Sequence, residues 1–315
     1  MIWLDIKNNM SVESKLNEMK PQIEALPESE TKRQMLARTN QHLARNKGRD
    51  KIVTSHDVWE EIKDRPTIVP MPTNHPKLDG LIKGFYPKQC IYLGAPPAAG
   101  KTTFVLDIME RMKDYNPMFL TFEQSVEELV STIKEREQEI PLFVTPRFKK
   151  METIHWISDR ITESVIKHDS KVIFIDHFGY IKNEGKFYSK TEQITATLME
   201  LEVIADQLDV AIVTVVHINK ISPTDIPTKE HLQGSAGFDQ QADTIIMMWR
   251  EAYLDAKETK WSNKVLVSVQ KNRKHGQNGS FRMKYTEDYK FVQDDNIQFE
   301  HENAGASSGY DTFDG

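Results

Sequence analysis

Ten consecutive residues constrain this chain more than any others. Gly94-Ala95-Pro96-Pro97-Ala98-Ala99-Gly100-Lys101-Thr102-Thr103 follow a short apolar run, Gln89 to Leu93, and precede a helix-length stretch from 101 to 114. Small residues let backbone N–H groups wrap phosphate oxygens at the positive N-terminus of a helix, where Lys101 neutralises β- and γ-phosphates and Thr102 can ligate Mg²⁺. The segment reads as a phosphate-binding P-loop, a site for ATP with Mg²⁺. One departure stands out: the strict pattern wants Gly six residues before Lys101, and Ala95 occupies that place with Gly94 one position earlier.

A loop of this kind sits between a strand and a helix, and the rest of the chain repeats that grammar. Gln89 to Leu93, Met118 to Phe122, Val172 to Asp176, Val210 to Val216, Thr244 to Trp249 and Lys264 to Val269 are short apolar runs rich in β-branched or aromatic residues. Helix-length segments lie at 101–114, 125–138, 151–168 and 191–208. Apolar strands alternating with helices predict a mostly parallel sheet covered on both faces. The runs at 264–271, 280–286 and 290–292 are too closely spaced for crossover helices, so the sheet is expected to finish in antiparallel strands.

Ahead of this body, Leu16, Met19, Ile23 and Leu26 recur at helical spacing, followed by Met35, Leu36 and Leu43. Two amphipathic helices broken near Pro27 are expected, making 1–65 a helical N-terminal and linker segment. Between Thr31 and Lys51 seven basic residues face only Asp50, which suits contact with phosphate or an acidic neighbour, or else a solvated helix face. Pro66 to Pro76 reads as a linker or extended strap.

The formal charge is −6, from 41 basic and 47 acidic residues, but Asp294 to Gly315 carries six acids and no Lys or Arg. The remainder balances, which excludes a protein that coats nucleic acid with general positive charge; any such contact must come from a local cluster. The tail 294–315, with Gly305-Ala306-Ser307-Ser308-Gly309 among its acids, is expected to be disordered. It ends in Tyr310-Asp311-Thr312-Phe313-Asp314-Gly315, read as a docking peptide, a DNA mimic or a solubilising tail. Cys90 is the single cysteine, so no intramolecular disulfide forms, and a reducing, cytoplasmic setting is expected. No apolar run reaches the roughly 20 residues of a membrane span.

Several side chains are positioned to work with the phosphate loop. Val172 to Ile175 end in Asp176, which places a carboxylate where Mg²⁺ would sit. Glu123 closes the strand Met118 to Phe122 and is the candidate to orient and deprotonate water; the alternative is an acidic cap on the next helix. His217 closes Val210 to Val216, as a γ-phosphate sensor or a structural hydrogen-bond partner. In a parallel sheet the carboxyl ends of neighbouring strands converge on one crevice, where these groups are expected to meet.

The order of these motifs resembles the RecA-type ATPase domain of hexameric replicative DNA helicases, the DnaB group together with the phage primase-helicase and Twinkle group. Ala95-x4-Gly100-Lys101-Thr102-Thr103 is similar to the DnaB-type loop, and Phe119-Leu120-Thr121-Phe122-Glu123 resembles the catalytic-glutamate strand. His217-Ile218-Asn219-Lys220 looks like the Twinkle and phage form of the sensor. Gly234-Ser235-Ala236 and Asp239-Gln240-Gln241-Ala242-Asp243-Thr244-Ile245-Ile246 match the loop and strand beyond it, and Gln270-Lys271-Asn272-Arg273-Lys274-His275-Gly276 resembles the Lys-x-Arg element that reaches an adjacent subunit's nucleotide. The resemblance covers about residues 75 to 293, so the expected ATPase domain runs over 66–293. It implies a RecA-like core and a hexameric 5′-to-3′ helicase or translocase on single-stranded DNA, driven by ATP and Mg²⁺. Lys77-Leu78-Asp79-Gly80-Leu81-Ile82-Lys83-Gly84 also resembles RecA, RadA and KaiC-type ATPases. A recombinase-like or regulatory ATPase without unwinding, and a non-catalytic loader or scaffold, therefore stay open.

A γ-phosphate facing outward from Lys101 needs positive charge that one chain lacks, so a second subunit must supply it. Arg273, with Lys271 on the same strand face, is the candidate, against a basic strand end in solvent. For DNA, Lys182, Lys186 and Lys190 interleave with Tyr180, Phe187 and Tyr188, and Lys220 and Lys229 follow the sensor. The helical N-terminus and the acidic tail are the candidate surfaces for a replication partner.

Overall fold

The computed structural model describes residues 12–46, 52–64, 68–135, 142–147, 153–255 and 258–299. In chain order these form α1 (Val12–Glu24), α2 (Glu30–Asn46), α3 (Ser55–Ile62), α4 (Pro76–Ile82), β1 (Cys90–Ala95), α5 (Lys101–Arg111), β2 (Met118–Thr121), α6 (Val126–Glu135), α7 (Ile154–His168), β3 (Val172–Asp176), α8 (Lys190–Leu208), β4 (Ala211–His217), α9 (Ser235–Gln241), β5 (Thr244–Asp255), β6 (Glu258–Asn272), β7 (Gly279–Tyr285) and β8 (Phe291–Gln293).

One sheet runs in the order β2-β3-β4-β1-β5-β6-β7-β8. The first five strands in that order are parallel, and β5 to β8 pair antiparallel, as the closely spaced C-terminal runs predict. Every residue of β1, β2 and β3 is buried, which is why these strands are continuous apolar runs rather than alternating ones.

Helices cover both faces. On one, Leu78 and Leu81 of α4, Phe104 and Ile108 of α5 and Leu129 of α6 pack on Ile91, Leu93, Phe119 and Phe174. On the other, Ile157 and Ile161 of α7 and Leu198 and Leu201 of α8 pack on Tyr92, Leu120 and Ile175. Buried aliphatic or aromatic side chains contribute roughly 1.5–3 kcal/mol each, so these two layers hold the strand ends in place.

The first two helices form as expected and join this second layer: Val12, Leu16, Met19 and Ile23 of α1 and Met35 of α2 share its core. Two basic side chains of α2 find partners on neighbouring elements rather than open solvent. Arg38 donates to Ile166 O at 3.0 Å, near the C-terminus of α7, and lies 3.4 Å from Asp169; Arg45 pairs with Asp209 at 2.7 Å. A cation at a helix C-terminus also complements the helix dipole. Lys47, Arg49 and Lys51 lie outside the described residues.

Three features depart from expectation or extend it. Helix α3, held at its start by a Thr54–Asp57 capping box, is not signalled by the apolar periodicity, and it buries none of its residues, leaving Val58, Trp59 and Ile62 exposed. Strands β5 and β6 reach 12 and 15 residues, far longer than the apolar runs within them. The expected disorder from Asp294 onward is corrected for residues 294–299: Phe299 is buried, with its ring centroid 5.3 Å from that of Trp249. An acidic segment thus carries one aromatic anchor, and burying it outweighs the charge around it. The remaining tail, 300–315, lies outside the described residues. Among the described residues no helix is long and apolar enough to cross a membrane.

Candidate functional site

The sheet register brings the candidate residues to one level. Ala95 at the end of β1 pairs with His217 at the end of β4, and Thr121 at the end of β2 pairs with Asp176 at the end of β3. A further backbone bond from Phe122 N to Asp176 O, 2.8 Å, carries the chain on to Glu123. Glu123, Asp176, His217 and the loop from Ala95 therefore meet at the carboxyl edge of the parallel strands, the crevice where such sheets take ligands.

The loop Pro96-Pro97-Ala98-Ala99-Gly100 turns on two left-handed residues, Ala98 at φ 60° and Gly100 at φ 91°. Gly100 caps α5 without any side-chain hydrogen bond, so no capping side chain occupies the N–H groups of the first turn, Lys101-Thr102-Thr103. Lys101 is 8% exposed, and its Nζ donates to Pro96 O at 2.9 Å and Ala95 O at 3.4 Å. Burial pulls the Lys101 ammonium below its ordinary pKa, with Asp176 and Glu123 opposing that shift. A buried cation resting on carbonyls, beside open helix N–H groups, fits a polyphosphate.

Thr102 Oγ1 donates to Asp176 Oδ2 at 2.6 Å, and Asp176 is 2% exposed. Burial pushes the Asp176 carboxyl up; the Thr102 hydrogen bond opposes this, Glu123 adds to it, and Lys101 and His217 oppose it. A carboxylate disfavoured by burial gains from a divalent cation, and a hydroxyl plus a carboxylate is the oxygen donor set Mg²⁺ prefers. These residues fit the metal.

Glu123 is partly exposed, and its Oε1 lies 3.3 Å from His217 Nε2. It stands ahead of α6, whose first turn is tied instead by reciprocal bonds between Ser125 and Glu128. That arrangement leaves Glu123 outside the helix cap and facing the crevice. His177, which sequence reasoning missed, lies at the same spot: its Nε2 is also 3.3 Å from Glu123 Oε1, and its ring meets that of His217 edge-on with centroids 3.9 Å apart. Burial, with His217 next in order, pushes His177 down to about 4, so the ring is neutral near pH 7. The available signal was an imidazole directly after the strand-terminal Asp176.

Arg273 and Lys271 do not join this cluster. Asn272 of β6 pairs with Thr244 of β5, which pairs in turn with Ile91 of β1, so Arg273 sits at the amino edge of the sheet. The length of β1, roughly 16 Å at about 3.3 Å per residue, separates it from its own phosphate loop. There the Arg273 guanidinium donates to Gln240 O at 2.5 Å and lies 3.5 Å from Asp243, and Lys271 Nζ donates to Asp239 O. Burial, then Arg273, lowers the Lys271 pKa.

The lysines assigned to nucleic acid divide. Lys182 and Lys190 line a cavity of about 450 Å³ with His177, His217 and Gln233. Lys186 and Lys220 are exposed. Lys229 is committed to its own chain: Nζ pairs with Asp239 at 2.6 Å, and its backbone N–H donates to Gln270 Oε1 at 2.6 Å. The segment from Ile218 to Leu232 closes on itself beside His217, through an Ile218–Leu232 bridge and bonds from Asn219 N to His231 O and from Gln233 N to His217 O.

This geometry agrees with what the chain is similar to. The model of the DnaB-like helicase C-terminal domain family matches residues 70–144 and 129–294. Replicative DNA helicase DnaC of Bacillus subtilis is 24% identical over 297 residues, covering 83% of this chain and 64% of the relative. Replicative DNA helicase DnaB of Leifsonia xyli subsp. xyli is 22% identical over 215 residues, covering 58% and 47%. The chain thus spans between about half and two thirds of the length of these relatives. Among solved structures, one described as an ATPase domain aligns with a TM-score of 0.59 at 20% identity over 76% of this chain and 96% of that one. A DnaB-like replicative helicase, described with its primase interactions, aligns at 0.62 and 20% identity over 83% and 76%. With its model spanning well over half the sequence, and the phosphate loop, Asp176, Glu123 and His217 at one strand edge, the chain belongs to the DnaB-like helicase C-terminal domain family.

Proposed function

We propose that this chain is a DNA helicase motor that hydrolyses ATP between adjacent copies of itself and uses the cycle to move along single-stranded DNA in the 5′-to-3′ direction, as a hexamer in the cytoplasm. The observation that carries the reading is the division of the site between the two ends of the sheet. Lys101, Thr102, Asp176, Glu123 and His217 stand at the carboxyl edge, while Arg273 and Lys271 stand at the other.

Thr102 and Asp176 would hold Mg²⁺, which would supply positive charge against the phosphates when bound. Lys101 and the loop N–H groups would hold the triphosphate. Glu123 orients the attacking water and accepts its proton. Arg273 and Lys271 of a neighbouring copy neutralise charge on the transferred phosphoryl group, a task their own chain cannot give them. His217 senses the γ-phosphate and anchors the stem of the 219–233 loop, so a change at the sensor passes to Lys220; Lys182 and Lys190 line the cavity beside His217, Lys186 is exposed in the segment between them, and all three meet the strand.

Assembly is supported by α3, whose exposed Val58, Trp59 and Ile62 would be covered by a second copy. We retain 66–293 as the motor, with residues 294–299 packed onto it, and the segment 1–65 and the acidic tail beyond 299 as surfaces for assembly and replication partners. A relative of this fold has been solved with its primase interactions, and a primase is one such partner.

The reading is tested by ATPase activity with and without single-stranded DNA, displacement of a forked duplex and native mass. DNA-stimulated hydrolysis, displacement and a six-fold mass support it. DNA-stimulated hydrolysis without displacement indicates a RecA-fold ATPase that does not unwind. Absence of hydrolysis, unchanged by Glu123→Gln, indicates a scaffold.

A further inference from the structure

His177 shares an acceptor with the sensor. Its Nε2 and the His217 Nε2 each lie 3.3 Å from the same oxygen, Glu123 Oε1, and the two rings meet edge to face at 3.9 Å between centroids. Its other nitrogen is fixed from the opposite side, where Gly179 N–H donates to His177 Nδ1 at 3.0 Å. In a neutral imidazole, an Nδ1 that accepts leaves the proton on Nε2, so the edge facing Glu123 is a donor.

The fold maintains this orientation. Gly179 has no Cβ, and one built there would lie 2.7 Å from His177 Cε1, so the close approach that fixes the ring requires glycine. Tyr180 flanks the ring with centroids 4.7 Å apart. The nitrogens and the carboxylate oxygen lie within 4.8 Å of one another, a spacing a transition metal also accepts. The Gly179 N–H decides against that, because occupying Nδ1 keeps the ring proton on Nε2, where a metal would need a lone pair.

We infer that His177 is a positioning residue for Glu123, setting its Nε2 edge beside the same carboxylate oxygen that His217 bonds, so that Glu123 stays aimed at the water when His217 turns to the γ-phosphate. This rests on the reading of Glu123 as the group that activates water. A hydrogen bond from one imidazole and the Nε2 edge of a second, 3.3 Å from the same oxygen, restrict its rotamers, and releasing one contact at a time lets His217 report without losing the base.

The bland alternative is that His177 only caps the Phe178–Tyr180 turn through Nδ1. Two substitutions separate the roles. In His177→Asn the short side chain can still accept from Gly179 N–H but does not reach Glu123; in His177→Gln the amide reaches the Nε2 position. Turnover and KM are measured with ATP and Mg²⁺ in the full chain, with affinity for a fluorescent ATP analogue and thermal melting alongside. The expected result is a fall in kcat of about tenfold for His177→Asn, with KM and analogue affinity unchanged, and recovery of most of the loss in His177→Gln. In a Glu123→Gln background, His177→Asn should add nothing. Gly179→Ala, which displaces the ring but keeps both imidazoles, should reproduce the loss if the Asn variant melts early. A wild-type kcat in His177→Asn, or a further loss of about tenfold in the Glu123→Gln background, overturns the inference. If Glu123→Gln lowers turnover while His177→Asn leaves it intact, only this inference fails; if wild type does not hydrolyse ATP and Glu123→Gln changes nothing, the reading beneath it fails too.

Discussion

The two ends of the central sheet are built differently. At the carboxyl end, one chain sets out the Gly94–Thr103 loop, a Thr102–Asp176 pair at 2.6 Å and a carboxylate oxygen 3.3 Å from two imidazoles, at strand ends aligned by the register of β1 to β4. At the amino end, Arg273 and Lys271 are tied to the carbonyls of Gln240 and Asp239, with nothing at hand for a guanidinium to catalyse. Helix α3 likewise leaves its apolar side chains uncovered. On the proposed reading the difference has a meaning: the ground-state site belongs to a single chain, whereas the charge that speeds the reaction and the surface that completes assembly would come from a second copy.

Four substitutions sharpen that contrast. The largest effect is expected at the complete end. Lys101→Ala removes the buried cation on which, in this reading, the phosphates would rest, so binding of the fluorescent ATP analogue and ATP turnover should both be lost, turnover by on the order of 10³-fold or more. Retained affinity would mean the loop N–H groups suffice and the Lys101 role is misassigned. At the other end, Arg273→Ala should leave analogue affinity near wild type and reduce turnover on the order of 10³-fold; a matching loss of affinity would place Arg273 in ground-state binding instead.

Smaller effects fall outside the two ends. Trp59 is 58% exposed, so Trp59→Ala should leave the melting temperature of the separated chain unchanged. It should nevertheless weaken assembly by roughly 2–4 kcal/mol, read as dissociation at dilution by native mass. Unchanged mass would assign assembly to another surface. The smallest effect concerns His42 in α2, where burial first, then Arg45 and Lys171, lower the imidazole pKa below 6.5, while Asp209 opposes them. The unfolded chain then binds more protons than the folded one as pH falls through 6.5, so stability should decline on acidification through that range. His42→Leu should flatten this dependence by a few degrees in melting temperature, and an unaltered slope would assign it to other groups.

Much of the complete end is legible in the sequence because its causes are local or periodic. β1, β2 and β3 are buried on both faces and therefore uninterrupted apolar runs, and the loop residues Gly94 to Gly100 ahead of Lys101 are Gly, Ala or Pro for a steric reason visible in the letters alone. Glu123, Asp176 and His217 each close a strand, and parallel strands bring such ends together. What the letters conceal depends on contacts across the fold. Phe299 reads as part of an acidic tail until Trp249 provides a surface for it. Helix α3 has too short an apolar pattern to stand out, since Val58, Trp59 and Ile62 alone mark its face. His177 gains its meaning from Gly179 on one side and Glu123 on the other, a pairing its immediate neighbours do not reveal. Arg273 reads in the letters as a cation for a second copy, a role kept as a proposal, and its tether to Asp243 and Gln240 is not visible there.

The claim that one catalytic centre is shared by two chains is tested most directly by mixing Lys101→Ala and Arg273→Ala proteins, each inactive alone, and measuring ATP turnover of the co-assembled sample. Some interfaces in the mixture pair an intact phosphate loop with an intact arginine from the neighbour, and the account predicts that part of the wild-type turnover returns. Co-assembly confirmed by native mass with no recovered turnover at any mixing ratio would contradict it.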